Sequence, residues 1–63
     1  MNNYIDYMDL MDVAKINLMK KLNMKMDEYE KNPSSELKKE IINMSIDRKQ
    51  LDSFDIPTIK KYL

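Results

Sequence analysis

The sequence predicts an all-α protein in which a long first helix and a second helix form an antiparallel hairpin, followed by a short C-terminal helical segment. Three observations lead to this prediction. The first 31 residues contain neither Gly nor Pro. Their apolar residues recur at steps of three or four, which is the period of one helix face. Two proline-containing segments, residues 32–35 and 52–57, divide the rest of the chain. No repeat or linker is visible, so residues 1–63 form a single small domain.

The first helix is predicted over residues 3–31, where Leu, Met, Lys, Glu and Ala are abundant. Asn2 or Asn3 is expected to cap its first turn, because a short side-chain acceptor satisfies a free backbone N–H. One apolar stripe is expected to face the second helix. The residues of this stripe are Tyr4, Met8, Met11, Ala14, Leu18, Leu22, Met26 and Tyr29.

The second helix is predicted over residues 33–53, with Asn32, Ser34 or Ser35 as its N-cap. Residues expected to face the first helix are Leu37, Ile41, Met44, Leu51 and Phe54. A third helix is predicted in the segment PTIKKYL, residues 57–63, capped by Asp55 or Ser53. So short a helix does not persist alone in water. It must therefore dock on its own hairpin, dock on another chain, or fray, and its apolar residues argue against fraying.

Both long helices carry apolar residues outside the main stripe, and a helix that is apolar on two sides usually contacts two partners. The other elements of the same chain could supply the second contact. A chain of 63 residues buries little core, so we favour an intermolecular partner. Met19 and Met24 add flexible side chains of the kind common on adaptable surfaces. Arg48 interrupts the second stripe and either covers apolar neighbours with its stem or pairs with an acid. The predicted partner-binding residues are Leu10, Val13, Ile16, Met24, Ile42, Ile46 and Arg48.

Composition excludes several classes of site. Cys, His and Gly are all absent, so disulfides, the usual zinc sites, Ser-His-Asp and Cys-His catalysis and glycine-rich phosphate loops cannot be built. We therefore expect no enzyme, and we predict no catalytic, cofactor-binding or metal-ligating residue. The charges of eleven basic and eleven acidic residues cancel, which argues against nucleic-acid binding on electrostatic grounds. No apolar run approaches the length of a membrane span, so a cytoplasmic, soluble protein is expected.

The function that remains is a non-catalytic protein–protein interaction module, a small regulator or inhibitor that binds and occludes a larger protein. Its partner would be another protein, a second copy of the chain in a homodimer, or both. Two hairpins could then pair into a dimeric bundle. One alternative is a dimeric nucleic-acid accessory protein that uses Lys15, Lys20, Lys21 and Lys25. The bias toward Asn, Ile, Lys, Met and Tyr is typical of AT-rich genomes, including those of some bacteria, phages and viruses.

A further alternative comes from residues 34–41, SSELKKEI. They resemble the SQELDxxI motif of small helical-hairpin phosphatases of the bacterial sporulation phosphorelay. The resemblance implies a modulator that acts on a phosphorylated response regulator. Lys38 stands where that motif has its acid, and the match is limited to these eight residues. The chain is therefore not assigned to that family.

Overall fold

The computed structural model describes residues 7–63 of the chain, with side chains from Asp9 onward. Within this range the chain forms three α-helices and no strand. The helices are α1, Tyr7–Lys31, α2, Ser35–Asp52, and α3, Ile56–Lys61. The predicted all-α hairpin with a short third helix is thereby confirmed. The predictions for Asn2, Asn3 and Tyr4 and for the side chain of Met8 lie outside the described part of the chain.

Polar caps decide where the second and third helices begin. Ser34 is the N-cap of α2, and its hydroxyl accepts a hydrogen bond from the backbone N–H of Leu37 at 3.1 Å. Asp55 is the N-cap of α3 and accepts from the backbone N–H of Thr58 at 3.3 Å. Pro57 follows in the first turn of α3, where its missing N–H costs no helical hydrogen bond. Each cap satisfies one of the backbone donors that a helix start leaves free.

The hydrophobic core lies where the three helices meet. Leu18 of α1, Leu51 of α2 and Ile59 of α3 are its largest fully buried side chains. Because each comes from a different helix, no two elements alone complete the core. Among the side chains from Asp9 onward, the buried apolar residues are Met11, Ala14, Leu18, Leu22, Met44, Leu51, Ile59 and Tyr62.

The C-terminal segment docks on its own hairpin. The side-chain amide of Asn17 in α1 donates to the backbone carbonyl of Tyr62 at 2.7 Å. Asp47 in α2 accepts from the Lys61 ammonium at 2.8 Å and from the Tyr62 hydroxyl at 2.5 Å. These polar contacts surround the buried ring of Tyr62. Of the three fates left open by the sequence, docking within the chain is the one observed.

Two expectations about the core were wrong. Met26 continues the predicted stripe, but half of its surface is exposed, because it lies on the side of α1 away from α3 and α2 covers only part of it. Phe54 is also exposed, because the chain leaves α2 at Ser53 and turns away to start α3. The turn places Phe54 at φ 58°, a left-handed conformation that is uncommon for a bulky residue.

Candidate protein-interaction surface

One broad face of the α1–α2 hairpin is occupied by α3. Asn17 on α1 and Asp47 on α2 bind α3 from this side. Beyond the end of α3, an ion pair joins Lys25 Nζ to Glu40 Oε2 at 2.9 Å across the same face. Both residues line a polar cleft of about 290 Å³ together with Tyr62. This side of the hairpin is therefore covered in part by α3 and in part by charged side chains.

Within residues 7–63 no third helix lies on the opposite face of the hairpin, and we call it the open face. Met26 and Asn17 are separated by about two and a half helical turns, so they point to opposite sides of α1. On α1, Ile16, Met19 and Met26 follow one another at helical spacing along this face, and all are exposed. On α2, Ile41 and Ile42 lie next to Met26 in the same groove. The apolar residues of the open face are Ile16, Met19, Met26, Ile41 and Ile42. Farther from the turn, the Lys15–Asp52 ion pair crosses the same side, because each of its residues lies 11 positions from Met26 or Ile41, about 20° around its helix.

A groove of about 500 Å³ lies on the open face near the turn of the hairpin. Its floor is made of Met, Tyr, Pro and Ile side chains. Glu30 stands on its α1 side and Lys38 on its α2 side. The complete lining is Met26, Tyr29, Glu30, Pro33, Lys38, Ile41 and Ile42.

The predicted partner-binding residues do not all point the same way. Five of them are 46–63% exposed: Val13, Ile16, Met24, Ile42 and Ile46. Ile16 and Ile42 belong to the open face. Met24 is two residues from Met26, about 200° around the helix, and therefore lies on another side of α1. The exposed residues thus form one cluster on the open face and single apolar positions elsewhere.

Leu10 and Arg48 differ from their neighbours on the predicted list. Leu10 is half-buried and packs against the core, on the side of α1 that also binds α3 through Asn17. It therefore contributes to the interior rather than to an exposed partner surface. Arg48 is exposed, and no ion pair joins it to an acid among residues 7–63. Of the two roles considered for Arg48, the ion pair within the chain is not seen in the described range.

Sequence reasoning missed the groove. It assigned Met26 and Tyr29 to the buried stripe and Pro33 to the start of the second helix. Their periodicity is that of a core stripe, and nothing local in the sequence indicates that the cover stops short of them. The off-stripe position of Met19 was the available signal, since it lies one turn from Ile16 and two turns from Met26 on the same side.

The ionisable groups whose pKa departs from its usual value are engaged in structural contacts. Burial alone would raise the pKa of Asp47, but hydrogen bonds from Lys61 and Tyr62 outweigh it and leave that pKa below its usual value. Burial and the hydrogen bond to Asp47 raise the pKa of the Tyr62 hydroxyl. The Asp47 carboxylate, with its two donors, and the neutral Tyr62 hydroxyl therefore stabilise the docked α3. Both groups are occupied by each other and by Lys61.

Two of the four lysines considered for nucleic-acid binding pair with carboxylates of α2. Lys15 Nζ lies 3.0 Å from Asp52 Oδ1, and its hydrogen bond lowers the pKa of that carboxyl. Lys25 pairs with Glu40, whose hydrogen bond raises the pKa of Lys25. Among residues 7–63, no group of three acidic side chains is placed to hold a metal ion. No helix in this range is both long and apolar enough to cross a bilayer.

The segment that resembles a phosphatase motif serves as a helix start. Ser34 caps α2, and Glu36 lies in the first turn, where an acid interacts favourably with the helix dipole. Lys38 stands beside the apolar groove rather than in a cluster of acids. None of the protein-family models, curated proteins or solved structures compared with the chain matches it.

Proposed function

We propose that the protein is a non-catalytic protein–protein interaction module, a small regulator or inhibitor that binds a larger protein through the open face and occludes part of it. The observation that supports this proposal is the groove. Apolar side chains from both long helices meet there on the one hairpin face that α3 leaves uncovered. Exposed apolar residues that are contiguous are typical of interaction sites, whereas scattered ones are normal on any surface.

The chemistry of the groove favours a protein ligand. Its floor is apolar, and only Glu30 and Lys38 bring charge to its edges. A small-molecule site normally adds several convergent polar groups, which this floor does not offer. An apolar groove between helices accepts the apolar side chains of a partner helix, as in other helix-in-groove complexes. Met26 suits such a ligand, because methionine adapts its shape to the partner.

Two methionines of α1 provide a matched test. Met26 lines the groove, whereas Met24 points to another side of the helix, and both are at least half exposed. Affinity capture from the organism that carries the gene should retain the partner with Met24→Glu and lose it with Met26→Glu. Circular dichroism on both variants checks that helix content is unchanged.

The reverse pattern, capture lost with Met24→Glu and retained with Met26→Glu, would show that binding uses another surface. Added salt separates this function from nucleic-acid binding, because phosphate contacts weaken steeply with salt and an apolar interface does not. A bound nucleic acid released by salt would contradict the proposed function.

A further inference from the structure

We propose that, in the isolated protein, the open face is covered by a second copy of the chain. In this dimer a two-fold axis runs parallel to the helices, so that α1 of each copy packs on α2 of the other. The inference rests on the proposed function, since it names the first occupant of the same surface. A larger protein would then replace the second copy when it binds.

Charge at the groove supports a self-complementary contact. Glu30 stands on the α1 side and Lys38 on the α2 side of one apolar groove. Within residues 7–63 neither makes an ion pair. A two-fold axis parallel to the helices turns the second hairpin so that its α2 faces α1 of the first. Glu30 of each copy then meets Lys38 of the other, and the symmetry makes this pair twice.

The apolar side chains fit the same arrangement. Lys25 pairs with Glu40 across the antiparallel hairpin, so Met26 on α1 and Ile41 and Ile42 on α2 lie within about one helical turn of one level. Rotation about an axis parallel to the helices preserves this level. Met26 of one copy therefore faces Ile42 of the other, again twice. An axis perpendicular to the helices would instead put the two turns at opposite ends and separate the charged pairs.

The available area is enough for a weak dimer. α2 has 18 residues and is about 27 Å long. Two helices side by side are about 20 Å wide, so the shared face covers roughly 540 Å² per copy. Two copies would bury on the order of 1,100 Å², which is just above the lower limit of specific interfaces. We therefore expect a dimer that dissociates at micromolar concentration.

Charge reversal gives a test that depends on the symmetry. Glu30→Lys places two lysines opposite each other at both contacts, and Lys38→Glu does the same with two glutamates. Sedimentation equilibrium should show the dimer weakened roughly tenfold in each single variant. A mixture of the two variants restores both opposite-charge contacts and should form a heterodimer as tight as the wild-type dimer.

Glu28→Lys and Lys39→Glu are the matched controls. They make the same charge changes at exposed positions of α1 and α2 that do not line the groove. Neither should change the association constant, and their mixture should give no preferred heterodimer. Met26→Glu should abolish the dimer, with circular dichroism to show that the helices remain.

A wild-type chain that is monomeric up to millimolar concentration would overturn the dimer. A dimer whose association constant is unchanged by Met26→Glu and by both charge reversals would show that the open face is not the dimer interface. A monomer that still captures a partner through Met26 would refute this inference and leave the proposed function intact. A charge-sensitive dimer that captures nothing would support the inference and contradict the proposed function.

Discussion

The hydrogen bond between the Tyr62 hydroxyl and the Asp47 carboxylate fastens α3 to the hairpin, and Tyr62→Phe removes only its donor. Tyr62 is 5% exposed and its ring is part of the core. Phe keeps the ring and its packing. Asp47 keeps the Lys61 ammonium at 2.8 Å as a partner. The variant therefore measures the contribution of one hydrogen bond to a partly buried carboxylate, with little change in apolar burial.

The expected loss is large for a protein of this size. A hydrogen bond to a charged group contributes about 1.5–3 kcal/mol to stability. A domain of 63 residues is expected to have roughly 3–9 kcal/mol in total. Tyr62→Phe should therefore remove a substantial share of the free energy of unfolding at neutral pH, and α3 should be the first element to detach.

The pH dependence follows from both pKa shifts. The pKa of Asp47 is lowered in the folded state, so its contribution is present above the unfolded pKa of about 4 and is lost as the pH falls through the folded pKa. The pKa of Tyr62 is raised, so its contribution is present below about pH 10 and is lost at higher pH, where the unfolded chain ionises. The stability difference between wild type and Tyr62→Phe should be largest between these limits and decrease on both sides.

Urea unfolding followed by far-UV circular dichroism measures the difference. Tyr29→Phe is the control, because no hydrogen bond of the Tyr29 hydroxyl is found among residues 7–63 and the change should be nearly neutral. A double-mutant cycle with Asp47→Asn should give a coupling energy of about 0.5–3 kcal/mol. If Tyr62→Phe behaves like Tyr29→Phe, or if the coupling is zero, α3 is not held by this contact.

Three further tests of the fold use the same unfolding measurement in dilute protein. Leu18→Ala should lower the free energy of unfolding by about 2–5 kcal/mol, because it leaves a cavity at a fully buried position. A loss no larger than that of a substitution at an exposed site would show that Leu18 is not in the core. Ser34→Ala should cost about 1 kcal/mol and Ser35→Ala much less, since only Ser34 caps α2, and equal costs would place the cap elsewhere. Phe54→Gly should be more stable than Phe54→Ala by about 1 kcal/mol, because φ is 58° and glycine has no Cβ to clash. The opposite order would show that residue 54 has ordinary backbone geometry.

Sequence alone was sufficient for the number, order and approximate limits of the helices. The three-or-four-residue spacing that includes Leu18 is a local property of α1, and the turn around Pro33 is equally local. The sequence did not decide which residue is the N-cap of α2. Asn32, Ser34 and Ser35 all carry suitable acceptors, and only the path of the backbone selects Ser34.

The surface could be predicted only in part, because it depends on which side of the hairpin α3 takes. Leu10 and Val13 both lie off the main stripe, and the sequence treats them alike. The structure packs Leu10 against the core and leaves Val13 exposed. Met26 shows the opposite case, since it continues the stripe but lies on the side of α1 that α3 does not cover. In each case the deciding contact is between residues far apart in the chain, which local periodicity does not record.

The length of α3 links the core to the open face. α3 has six residues and is about 9 Å long, whereas α1 has 25 and is about 37 Å long. So short a helix covers only a short part of one face of the hairpin. Beyond it, on the same face, Lys25 and Glu40 form a solvent-exposed ion pair. On the other face, within one helical turn of this ion pair, lie Met26 and Ile42. Charged side chains at this position would remain hydrated without a partner, whereas exposed apolar side chains gain free energy when they are buried. The apolar residues near the turn are therefore the physical reason to propose that another chain covers them.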